Sequence, residues 1–233
     1  QSHSLTHGLV FTAPRVMDFV RPALLKKLHP HEFPLFRVNG HDAVEERPAL
    51  GTPLYRSAPN LAARTCYLAP AAAREACARY VAERGGEAFF SRPAWRKELE
   101  AVERAARRQA GEADYETPEQ RRDAMRRELE ESKRQIEAHL PGHTVRSFCF
   151  PWGYGLREMA LLAREIGYAA VYWTDAPGQR GRKTARVGQD PRFIPRMGSG
   201  WLYTLPGKGR RSFINQMTRK TRRRLTAGSS YLT

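Results

Sequence analysis

The stretch "TVRSFCFPWGYGLREMALLAREIGYAAVYWT" constrains this chain more than any other. Val145 to Phe150 is a short apolar run closed by Pro151-Trp152-Gly153, the pattern of a buried strand ending in a turn. An amphipathic run closed by Gly167 follows, and "YAAVYWT" is a second run of β-branched and aromatic residues. Strand, turn, helix and strand within about 30 residues make a βαβ unit, whose strands lie parallel because the chain must cross back over the sheet. Such sheets carry their working loops at the C-terminal ends of the strands. "RFIPRM" offers one further strand.

Upstream the texture differs. As far as Pro70, segments such as "LHPHEFPLF", "RPALGTPLY" and "SAPN" are broken by proline, which predicts loops with short helices. Three helices are then expected. "APAAAREACARYVAERGG" is Ala-rich and stops at Gly-Gly after Arg84. "SRPAWRKELEAVERAARRQAG" has Ser91 as its expected N-cap and ends at Gly111. In "TPEQRRDAMRRELEESKRQIEAHLPG" Thr117 caps, Pro118 takes the first helical position, Gln120 closes a capping box and Pro141-Gly142 ends the helix. Met125, Leu129, Ile136 and Leu140 recur on one face of it.

With 233 residues, 41% of them hydrophobic, the chain suits one large domain and is rich enough for a packed core. Its formal charge of +16 is uneven: residues 179–233 hold 14 Lys and Arg against the single acid Asp190, which leaves 26 against 23 elsewhere. Such a basic tail is a solvated arm or meets an anionic surface, whether lipid, nucleic acid or acidic polymer. Within "GKGRRSFINQMTRKTRRRL" the lone aromatic, Phe213, makes no stacking ladder, and no specific nucleic-acid motif accompanies it. Cys66, Cys77 and Cys149 are odd in number and lack metal-ligand spacing, so buried reduced thiols are expected. No apolar run is long enough to span a membrane, and localisation stays open between the cytoplasm and the cell envelope.

Two features carry chemistry. His3 and His7 in "QSHSLTHG" stand four apart, so on a helical turn both imidazoles would face one ion. A catalytic zinc normally takes three protein ligands, and two surface histidines would show the same spacing. Ser4 stands where H-E-x-x-H needs glutamate, which excludes a helix-borne zincin. In the second feature, Pro151-Trp152-Gly153 would place a ring and backbone N–H groups at the mouth of the sheet, suited to gripping a sugar and polarising a carbonyl. An ordinary strand-to-helix turn reads the same way. His29, His31 and His41 are expected in loops, Trp95, Trp173 and Trp201 in the core or at its rim, with Trp201 also placed to line a groove, and Asp175 in a turn, where it is also a candidate catalytic acid.

"HSLTH", then "ESKRQIE", "FPWG" and "REIGYAAVYWTDAPG", in that order, resemble the polysaccharide deacetylase family (the NodB-homology domain, carbohydrate esterase family 4) over residues 1–8 and about 117–197. The resemblance implies an α/β fold, an incomplete or distorted (β/α) barrel. Residues 1–206 would form it, with a largely helical insertion at 9–116 and a basic C-terminal tail at 207–233. It also implies metal-dependent deacetylation of an N-acetylated polysaccharide. His3 and His7 would be ligands to zinc or another divalent metal ion, and Pro151, Trp152 and Gly153 the substrate wall. The family's paired-aspartate motif is not in the sequence, so the general base is expected upstream of Gln1, in an N-terminally truncated and inactive chain that holds metal weakly. Cys149 occupies the place of an arginine many members carry, and no histidine follows His143. Two other readings stand beside this one. One is a non-catalytic glycan- or partner-binding relative; the other is a basic nucleic-acid or membrane-surface protein acting through residues 208–224.

Overall fold

The computed structural model describes residues 1–38, 41–43, 48–174, 176 and 184–196. Asp175, Trp201, Phe213 and the basic tail at 207–233 lie outside them.

The chain passes directly from the histidine segment into β1 (Leu9–Phe19), followed by α1 (Pro22–Lys27), β2 (Pro34–Val38), β3 (His41–Ala43) and β4 (Pro53–Pro59). These strands form one sheet in the order β3-β2-β1-β4, with β2 parallel and β4 antiparallel to β1. Loops were expected here, and the reason for the difference is where the prolines fall. Pro34, Pro53 and Pro59 stand at strand ends, and Pro14 lies where the β1–β4 register shifts between Ala13 and Val16. Strand ends and bulges are the positions where proline does not interrupt a ladder. Phe11, Phe36, Tyr55 and Tyr67 pack together against this sheet.

Next come β5 (Tyr67–Leu68), α2 (Ala71–Glu83), α3 (Trp95–Gln109), β6 (Asp114–Tyr115) and α4 (Pro118–His139). The longer helices of the insertion, α2 and α3, lie in its second half, while the first half is mostly strand with the short α1. Helix α2 stops where Gly-Gly predicts, with Gly85 at φ 96°. Helix α3 starts later than expected: Ser91 closes a 3-10 turn and Ala94 is the N-cap. Helix α4 follows its signals, since Thr117 accepts from the Gln120 N–H and the Gln120 side chain accepts from the Thr117 N–H. Met125 and Leu129 are buried, Ile136 packs against them, and Leu140, beyond the last turn, is half exposed.

The βαβ unit is β7 (Ser147–Cys149), α5 (Arg157–Glu165) and β8 (Ala170–Trp173), and β9 (Ile194–Pro195) extends it. The three strands are parallel in the order β7-β8-β9. Phe148, Phe150, Trp173, Met159 and Leu129 centre the core beneath them, which buries Trp173 completely. Ser2 adds a bridge parallel to Phe148 on the free side of β7. Among the described residues no sheet closes on itself, so the barrel expectation is corrected to an open α/β arrangement of mixed and parallel sheets. Among the described residues, no helix is long and apolar enough to cross a membrane. Cys66, Cys77 and Cys149 are buried and unbridged, and burial pushes the Cys77 thiol up to about 12.

Candidate functional site

The residues between the Ser2 bridge and β1 do not form a helical turn. Ser4 and His7 both hold positive φ, 67° and 55°, which winds residues 3–8 into irregular bends. The imidazoles of His3 and His7 still converge, with ring centroids 4.9 Å apart. Their proximity comes from an anchored loop and not from i, i+4 helical geometry.

The anchor is α4. Glu128, 3% exposed, accepts from the Leu5 N–H (2.9 Å) and the Thr6 N–H (3.1 Å). Its other oxygen accepts from the Thr6 hydroxyl (2.6 Å) and the Asn60 side-chain amide (3.1 Å). One turn on, Ser132 meets the Ser2 hydroxyl, and Arg121 holds the Asn60 and Ala63 carbonyls behind the loop. The reading of α4 as an apolar face backed by a charged one missed these residues. The signal was present: positions 121, 128 and 132 share the helical stripe of Met125, Leu129 and Ile136. A charged residue within an apolar stripe needs a buried partner.

On the other side the loop meets the end of β7. His3 Nδ1 lies 2.7 Å from the Cys149 carbonyl oxygen. A carbonyl only accepts, so Nδ1 carries the proton and the lone pair of the neutral ring sits on Nε2. Burial holds the His3 pKa below its usual value; the Cys149 hydrogen bond opposes this and the charge of Arg196 adds to it. The neutral imidazole, the form that binds metal, is thereby favoured.

Pro151 and Gly153 are buried in a single 3-10 turn, with Trp152 at φ 59° and Gly153 at φ 85°. Gly153 is required: a Cβ there would lie 1.9 Å from the Thr174 hydroxyl. The half-buried Trp152 ring packs on His7 with centroids 5.0 Å apart, and its Nε1 donates to the His7 carbonyl at 3.3 Å. Two of the N–H groups at this turn are engaged within it. The Gly153 N–H donates to Phe150 O (3.0 Å) and the Tyr154 N–H to Pro151 O (3.3 Å).

Arg196, just beyond β9, was not anticipated. Its Nε donates to the Thr174 hydroxyl (3.3 Å) and another guanidinium N–H meets the Cys149 Sγ. Trp152, His7, His3, Cys149, Arg196, Thr174 and Gly153 thus follow one another around the C-terminal ends of β7, β8 and β9. A cavity of about 520 Å³ lies elsewhere, between α4 and α5 over Met125, Met159 and Leu162, and shares no residue with this ring. Among the described residues, no group of three His, Cys, Asp or Glu side chains could hold a metal ion. Two imidazoles are fewer than the three protein ligands that a catalytic zinc normally takes.

No protein-family model matches the chain, and no curated protein does. Among solved structures, the deacetylase domain of BpsB from Bordetella bronchiseptica is similar at 20% identity and a TM-score of 0.35. The match covers 64% of this chain and 38% of that one, so the chain spans well under half of that structure's length. At that TM-score the likeness fixes neither fold nor chemistry here.

Proposed function

We propose that this chain is a deacetylase-like α/β protein that binds an N-acetylated glycan without hydrolysing it. The observation that carries the reading is an aromatic ring packed beside the imidazole pair, with no group of three metal-ligating side chains among the described residues. Trp152, held in a positive-φ conformation between His7 and the Gly153 turn, offers a half-buried ring of the kind that packs on a sugar face. Pro151 and Gly153 form the wall that fixes that ring. The carboxylate reaching this loop, Glu128, has both oxygens engaged by Leu5, Thr6 and Asn60, so it holds the loop and is no base for water.

His3 Nε2 and the His7 ring would hold zinc or another divalent ion, which when bound would polarise a carbonyl oxygen. With two ligands the site holds such an ion weakly, and glycan binding does not depend on it. The test is calorimetric titration with an N-acetylglucosamine oligosaccharide, alongside an assay of acetate release with and without zinc. Saturable binding without acetate release is expected. Trp152→Ala should weaken binding about tenfold, the scale of one lost aromatic contact. Zinc-dependent acetate release by the chain, or no oligosaccharide binding, would overturn the reading.

A further inference from the structure

We propose that the glycan taken at this site carries a carboxylate, and that Arg196 is the residue that selects it. This rests on the glycan-binding reading above and names its ligand class. Arg196 is half-buried, its backbone N–H bound to the Trp173 carbonyl at 2.6 Å, so β8 fixes where its side chain departs. Among the described residues, the side-chain partners of its guanidinium are the Thr174 hydroxyl and the Cys149 sulfur, and neither is a carboxylate. Three other half-buried or buried arginines are answered by acids: Arg107 by Glu103, Arg121 by Glu116 and Arg192 by Asp190.

A cation withdrawn from water without a counter-charge is costly, and an anion from outside relieves that cost. A guanidinium has five N–H donors in a planar fork, and the two contacts leave donors for a carboxylate, the group that fork matches best. The location specifies the rest of the ligand. Cys149 touches Arg196 through its sulfur and His3 through its carbonyl, so the cation stands beside the imidazole pair. Thr174, which Arg196 also holds, lies against Gly153, next to the Trp152 ring. A ligand that stacks on Trp152 and reaches Arg196 therefore needs a sugar face and an acidic group: a uronic acid unit beside, or within, the N-acetylated chain.

The test compares a disaccharide of N-acetylglucosamine and glucuronate with its carboxylate methyl ester, by calorimetry on the full chain at low and high salt. The free acid should bind about tenfold tighter than the ester at low salt, with the ratio shrinking as salt rises. In Arg196→Gln the ratio should fall to about one, and Arg196→Lys should keep part of it because the charge remains without the fork. Equal affinity of wild type for acid and ester overturns the inference and leaves the glycan reading standing. An acid preference that survives in Arg196→Gln also overturns it. Binding of neither compound overturns both. Should Arg196→Gln fail to fold, the acid-to-ester ratio of wild type and of Arg196→Lys decides.

Discussion

Ser4, His7 and Trp152 are the residues other than glycine with positive φ among those described, and all three stand at the histidine site. Each such conformation costs an L-residue on the order of 1–2 kcal/mol, so the surrounding bonds must hold it. His3 is placed by a single strong contact, the Cys149 carbonyl, and has a measurable consequence. Its folded pKa lies below the unfolded value of 6.5. The unfolded state therefore binds the proton more readily, and His3 supports the fold fully above 6.5. That support is lost as pH falls through the folded pKa. The unfolding midpoint of wild type should drop between pH 6.5 and 5 by more than that of His3→Gln, as read by denaturant titration across that range. Parallel curves for the two would place the imidazole in an ordinary solvent environment. The spacing H-x-x-x-H was legible in the sequence. The hydrogen bond that selects the tautomer was not, because its partner is a backbone atom 146 residues away.

Among the elements, α4 does the most to shape the site. Its capping box, proline start and stop were readable because they are local signals whose donors and acceptors lie within four residues. Its buried polar stripe of Arg121, Glu128 and Ser132 makes contacts more than 50 residues away and is invisible to such signals. Glu128→Gln should destabilise the chain by about 2 kcal/mol or more, because in either orientation its NH2 faces an N–H donor, the Leu5 and Thr6 amides on one side or the Asn60 amide on the other. Chemical denaturation measures this. A loss below half a kcal/mol would mean that the loop is held by other means. Strand β1 shows the opposite case. Proline density argued for loops, yet the sheet tolerates Pro14 at a register shift, which depends on its partner strand and on nothing within β1.

At the scale of the whole molecule, the N-terminal segment links the four-stranded sheet to the three-stranded one. Ser2 is fully buried; its N–H donates to Ser147 O (2.8 Å) and its carbonyl accepts from the Cys149 N–H (3.0 Å). Seven residues later the same chain enters the four-stranded sheet at Leu9. Ser2→Pro removes that donor and should cost about 1–3 kcal/mol. Hydrogen exchange at the Cys149 amide should accelerate while that at β8 amides stays near wild type. Equal protection in the variant would show that the bridge is not what ties the segment to β7.

The sequence alone determined the βαβ unit, its parallel strands, the helix caps of α4 and the two motifs at either end of the site. Each of these follows from periodicity or capping, which act over a few residues. Only the tertiary structure decided that the sheet stays open among the described residues, that Glu128 holds the histidine loop, and that Arg196 stands beside His3 on Thr174 and Cys149. Those depend on which distant groups meet, and a one-dimensional pattern of hydrophobic and polar residues does not encode which buried charge finds which partner.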